Sequence, residues 1–304
     1  MVKRAGSSAV LERMIIVLAG ALALVLGGHG LLPDLGGFTP VLESGLPWLG
    51  VAVPLLLLGA LPARSWKAVA AALVPATVWG VMFGPALLRR PPGGPSDLSV
   101  ATLNVGVTNS ASGRAVRALA EGRDLVAVQE LTPGGPAAKA LDEVLPHHYQ
   151  VTTVGLWSRF PIIEARKADI GLAWARALRA VLSTPKGRVT VYVMHLASAR
   201  PGETAMRDKN LSYVRRIIDA DTSRRLLLLG DLNTATTDRN RSGLVPPLLD
   251  AQQEAGSGLG FTWPASFPVT RPDHILYRGL VATGAAVEEA AGSDHRAAVA
   301  TLRF

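Results

Sequence analysis

The chain has 304 residues and no cysteine. That absence excludes disulfide staples, thiolate nucleophiles and zinc held through sulfur. Aromatic residues are scarce at 5%, and no long basic run occurs; Arg215-Arg216 and Arg224-Arg225 are isolated pairs. A dedicated duplex-DNA binder carries a denser cationic footprint. Charge is scarcest in the first third. Residues 1–96 hold seven Lys/Arg and three Asp/Glu, whereas residues 97–304 hold 24 and 20. The second part has the composition of an ordinary globular domain.

What fills the first third is hydrocarbon. Met14 to Leu32, Leu46 to Ala63 and Ala68 to Leu88 are free of Asp, Glu, Lys and Arg. Each is about long enough, as a helix, to cross a hydrocarbon core of roughly 30 Å. A cleaved signal peptide would account for the first run alone, but two more follow. Lys3, Arg4 and Arg13 flank the first run, Arg64 and Lys67 lie between the second and third, and the first loop has only Asp34 and Glu43. The positive-inside bias then puts the N-terminus in the cytoplasm and everything after Leu88 outside, although Arg89-Arg90 weigh the other way. The expected organisation is a three-helix multi-pass domain of the cytoplasmic membrane (1–88), a stiff Pro/Gly linker (89–96) and a globular domain (97–304).

From Asp97 strands alternate with amphipathic helices. "LSVATLNV" ends its strand at Asn104, "DLVAVQE" at Glu130, "RVTVYVMHL" at His195 and "RRLLLLGDLN" at Asp231 and Asn233. "DHILY" starts a strand at Asp273, and Asp294-His295 precedes the closing strand. Singly, each polar residue reads as a turn former or a satisfied core group. Together, polar side chains at strand ends along one sheet edge form a cleft.

The segments "TLNV", "VAVQE", "GLWSRFPI", "VMHLAS", "LLLGDLN", "RPDHIL" and "GSDHRAAVA" stand in an order that resembles the endonuclease/exonuclease/phosphatase (DNase I-like) superfamily. The layout of three apolar helices followed by this domain also resembles the VanJ-type actinomycete membrane proteins associated with teicoplanin resistance. The resemblance implies an α+β fold, a four-layer α/β/β/α sandwich, preceded by three transmembrane helices. It also implies phosphate-ester hydrolysis with magnesium, or alternatively manganese. Glu130, Asn104 and Asp294 would serve the metal. Asp231 and Asn233 would handle water and phosphate, His295 would pair with Asp273, and His195 would face phosphate. Either His295 or Asp231 could take the proton from water. Arg159 and Trp263 are candidate substrate contacts, while Trp157 is expected to pack.

Where many nucleases of the family place an acidic residue, two positions after the first Asn, this chain has Gly106. The expectation is therefore an extracytoplasmic hydrolase of a lipid-linked phosphate or pyrophosphate, such as undecaprenyl pyrophosphate or another cell-wall intermediate. Its partners would be that lipid and the bilayer. An extracellular nuclease is the alternative, with nucleic acid the less favoured partner, and a catalytically dead binding module is a third class. Because the candidate residues lie at strand ends, replacing them is expected to spare stability.

Overall fold

The computed structural model describes residues 2–34 and 36–304, apart from the side chains of residues 2–7. Lys3 and Arg4 of the orientation argument therefore lie outside the described side chains. The apolar part forms α1 (Val2–Gly28), α2 (Thr39–Gly45), α3 (Ala52–Ala63) and α4 (Trp66–Leu88). Three stretches are long and apolar enough to cross a membrane: Ser8–Leu31, Thr39–Ala63 and Trp66–Leu88. The second starts earlier than the sequence suggests and is broken. Pro40 and Pro47 each lie in the first turn of a new helical piece, where a missing N–H costs nothing, so α2 passes through a 3-10 turn (Leu46–Val51) into α3. Glu43, expected in a loop, sits inside α2 and is fully buried.

The remainder folds into two six-stranded sheets. β1 (Leu98–Asn104), β2 (Leu125–Gln129), β3 (His147–Val151), β4 (Val154–Ser158), β11 (Val281–Glu288) and β12 (Ala297–Arg303) form the first, in the order β11-β12-β1-β2-β4-β3. β5 (Ile162–Lys167), β6 (Ala177–Thr184), β7 (Gly187–His195), β8 (Leu226–Asp231), β9 (Leu249–Asp250) and β10 (Asp273–Arg278) form the second, in the order β5-β6-β7-β8-β10-β9. Alternate residues such as Leu98, Val100, Val191, Val193, Leu227, Leu229 and Ile275 fill the seam between the sheets. Each large one contributes roughly 1.5–3 kcal/mol by burial. The opposite faces are covered by α5 (Ser112–Ala120) and α6 (Pro136–Asp142) on the first sheet and α7 (Ala205–Ala220) on the second. This is the expected α/β/β/α sandwich, with the short α8 (Ala251–Ala255) at its side.

The seam also sets the site. Continuing its alternation by one step brings Asn104, His195 and Asp231 to the same edge, facing inward from the strand ends. β7 and β8 run parallel with His195 beside Asp231, and β8 and β10 run antiparallel with Asp231 opposite Asp273. Gly230 makes that register possible. A Cβ there would lie 1.9 Å from the Met194 carbonyl oxygen, at a φ of 144°.

The 89–96 segment is a strap along the first sheet rather than a spacer. The Gly93 amide donates to the Thr283 carbonyl (2.9 Å) and the Asp97 amide to the Leu302 carbonyl (2.8 Å).

Candidate active site

Asn104 is the hub. Its Nδ2 donates to Glu130 Oε1 (3.2 Å) and Asp231 Oδ2 (3.1 Å), joining the two sheets. Its Oδ1 accepts from the Gly106 amide (3.0 Å). Glu130 follows β2 in a left-handed conformation, φ 55°, uncommon for a residue with a side chain. That twist turns its carboxylate to the cleft, where Oε2 accepts from the Val107 amide (3.1 Å). Asn233 has φ 47°; its amide N–H donates to Asp231 Oδ1 (2.9 Å) and its Nδ2 to the Leu196 carbonyl (3.1 Å).

Two buried histidines approach Asp231. His295 Nδ1 lies 2.8 Å from Asp273 Oδ2, which also accepts from Thr262 Oγ1 (2.6 Å). Burial opposes charge on this ring, but the Asp273 carboxylate and hydrogen bond outweigh it, with help from Asp231, and His295 is pushed up to about 10. His195 Nε2 lies 3.6 Å from Asp231 Oδ2 and 3.9 Å from Glu130 Oε1, while its Nδ1 meets the Arg176 guanidinium. Burial, then Arg176 and His295, push this histidine down to about 4 against the pull of Asp231. Asp231 itself is raised, first by burial and then by the Asp273 charge.

Donor atoms of Asp231, Asp273 and His295 lie within 4.8 Å of one another, close enough to hold an ion. These groups already engage one another: His295 Nδ1 lies 2.8 Å from Asp273 Oδ2, and all three residues are buried. Glu130 is 30% exposed, faces His195 Nε2 at 3.9 Å, and stands beside Asn104. An oxygen-rich, partly open donor set suits a hard ion such as magnesium, so Glu130 and Asn104 fit the group better than the buried triad. Asp294 is exposed, and its Oδ1 would lie 3.5 Å from a Cβ at Gly106, which occupies φ 74°. A side chain on residue 106 would be strained by that backbone, and a carboxylate there would stand beside that of Asp294.

Of the two candidate substrate contacts, one lies on a loop that borders the site, next to Thr262, whose hydroxyl bonds Asp273. Trp263 is 41% exposed on the loop before β10, where the neighbouring Ala265 amide donates to the Asp294 carbonyl (2.7 Å). Arg159 is a correction. β4 runs antiparallel to β2, so Arg159 pairs with Asp124 (3.4 Å) at the start of β2, at the end opposite Glu130. Trp157 packs, fully buried, with Nε1 donating to Asp142 (2.8 Å). Arg176 and Arg207 escaped the sequence reading. Arg176 precedes β6, an antiparallel strand whose start lies at the site edge, as the bond from the His195 amide to the Arg176 carbonyl (2.9 Å) requires. Strand direction was the signal that could have found it.

The apolar helices reach the rim of this cleft. Trp48, in the turn between α2 and α3, donates to the Val269 carbonyl (2.9 Å) and packs on Phe261 and Phe267, with ring centroids 6.0 and 5.9 Å away. On the α4 side the Gly258 amide donates to the Ala86 carbonyl (2.9 Å).

Residues 101–295 match the model of the Endonuclease/Exonuclease/phosphatase family. The chain belongs to this family. Solved structures agree on the family fold. D. rerio TDP2 complexed with single strand DNA product is 18% identical, with a TM-score of 0.58 over 68% of this chain and 99% of that one. A humanized D. rerio TDP2 is 20% identical, with the same score and coverage. The mannosyl-6-phosphatase of Bacteroides thetaiotaomicron is 16% identical, with a TM-score of 0.57 over 68% and 100%. No curated protein sequence matches the chain. At such identities the likeness speaks for the fold, and the family's phosphoesterase-type chemistry has to be argued from the site.

Proposed function

We propose that this chain is a membrane-tethered, magnesium-dependent phosphohydrolase of the outer face of the cytoplasmic membrane, acting on a lipid-linked phosphate or pyrophosphate. The observation that carries the reading is the seating of the helix turn at Trp48 on Phe261 and Phe267, at the rim of the cleft. A site built against membrane helices meets membrane-bound substrates at high effective concentration. The modest positive charge of residues 97–304 favours a small anionic headgroup over a duplex. A place in the VanJ-type subgroup and a link to glycopeptide resistance belong to this proposal.

A magnesium ion held by Glu130 and Asn104 would supply charge neutralisation at the phosphate. The chain's own groups divide the rest. His295 already holds its proton, so it donates a hydrogen bond to phosphate and does not act as the base. Asp231, raised by burial and acceptor-ready, takes the proton of the attacking water. Neutral His195 offers Nε2–H to a phosphate oxygen, because its Nδ1 faces an obligate donor, Arg176. Asn233 holds Asp231 in place through its backbone N–H.

The test compares release of inorganic phosphate from undecaprenyl pyrophosphate in liposomes with cutting of DNA, at equal magnesium and modest salt. Lipid turnover abolished by chelator is the expected result. Efficient DNA cleavage with no phosphate released from lipid would replace this reading with the nuclease one.

A further inference from the structure

A fully buried carboxylate in an apolar helix needs a partner, and Glu43 finds one on the other domain. Glu43 Oε2 accepts from the Arg239 amide (3.0 Å) and Oε1 from Arg239 Nε (2.7 Å), with His29 Nδ1 at 3.2 Å. The two outer nitrogens of Arg239 donate to the carbonyls of Leu32 and His29, just past the end of α1, and Thr237 Oγ1 donates to the Glu43 carbonyl. One guanidinium thus ties α2 to the last turn after α1, in the forked geometry that only arginine offers.

Arg239 lies on the loop that leaves the site. Its neighbour Asp238 pairs with Arg207 (2.6 Å), an almost fully buried residue of the first turn of α7. Arg207 Nη1 also donates to the Asn233 carbonyl (2.9 Å) and lies 3.2 Å from Thr234 Oγ1. The loop is therefore held from both sides, by Arg207 of α7 and by Glu43 of α2. At the start of this loop Arg207 reaches back to Asn233, whose left-handed backbone persists only where its surroundings hold it.

We propose that the Glu43–Arg239 contact is a positioning device: docking of the apolar helices sets the 233–241 loop, and through Arg207 and Asn233 the place of Asp231. The helix layer then completes the hydrolytic site instead of only anchoring it. The role in turnover rests on the reading of Asp231 and Asn233 as hydrolytic groups; the structural linkage does not.

The full-length chain in detergent with magnesium is compared with Glu43→Gln, Arg239→Ala and Arg239→Lys. Hydrogen exchange of residues 232–241 is read first, and release of inorganic phosphate from undecaprenyl pyrophosphate second. Glu43→Gln and Arg239→Ala should speed exchange through Leu232 and Asn233, with β1 and β2 unchanged. They should lower kcat about 10- to 100-fold, the scale of a small misplacement of catalytic groups, and leave KM within about twofold. Arg239→Lys should recover part of both. Exchange that quickens only at Thr237–Arg241, with Leu232 and Asn233 still protected, overturns the proposal. So does an unchanged kcat in an active enzyme. If the unaltered chain is inert toward that lipid, the hydrolase reading suffers, while exchange still decides the linkage.

Discussion

The two flanks of the cleft treat the same residue type in opposite ways. On the first sheet's side, His295 leans on Asp273 and faces Asp231, two carboxylates that β8 and β10 place opposite each other. On the second sheet's side, His195 faces the same Asp231 but is backed by the Arg176 guanidinium. Burial disfavours charge on both rings, so the neighbour behind each one decides its state. One edge thus offers a charged donor and a neutral donor around a single carboxylate, a division of labour made from second partners instead of different residue types.

Removing His295 should have the largest effect. The residue-by-residue reading of strand ends expects little loss of stability, but the burial of Asp273 reverses that for this residue. His295→Ala should cut hydrolysis by about 10³-fold, the scale of general acid–base and charge-stabilising groups. It should also destabilise the domain by about 3–5 kcal/mol, because buried carboxylates lose their counter-ion. His195→Ala, measured by the same assays and by denaturant unfolding, should lose turnover with a clearly smaller loss of stability. Equal destabilisation by both changes would erase the distinction between the flanks.

A second, smaller effect is pH dependence in chelator. His295 rises from an ordinary 6.5 to about 10 on folding. Its contribution to stability is therefore complete below pH 6.5 and is lost as pH climbs through about 10. His195 falls from 6.5 to about 4, so the unfolded chain binds the proton first and stability drops as pH falls from 6.5 toward 4. Melting temperatures across this range should lose the alkaline slope in His295→Gln and the acid slope in His195→Gln. An unchanged slope in either variant would reassign the state of that ring.

The smallest expected effect is none. Arg159→Ala should leave hydrolysis within about twofold of the unaltered chain, since Arg159 sits at the far end of the sandwich; surface changes of this kind alter stability by about 0.5 kcal/mol or less. A large loss of turnover would mean that the substrate reaches well beyond the cleft.

Much of this arrangement was legible because strand ends are where apolar alternation stops. Asn104, His195 and Asp231 continue a run of inward residues by one step, and the sequence displays that step directly. Arg159 misled for a physical reason: a strand's last residue belongs to the site only if the strand runs parallel to β1, and pairing direction is set by partners far away in sequence. Arg176 was missed for the mirror-image reason, since it stands before an antiparallel strand. In the sequence Glu43 looks like a loop residue, because an acidic side chain in an apolar helix resembles a boundary until Arg239, nearly two hundred residues on, is brought to it.

Gly230 carries a consequence for comparing relatives. The room it provides is dictated by the Met194 carbonyl on the next strand, which is a matter of backbone packing. A relative that had abandoned hydrolysis would still need glycine there to keep β7 and β8 in register, while becoming free to change Asp231. On the proposed reading of Asp231, the first residue of "GDLN" therefore reports ancestry and the second reports activity. Sorting related chains by the pair, instead of by the motif as a whole, separates those that kept the architecture from those that kept the chemistry.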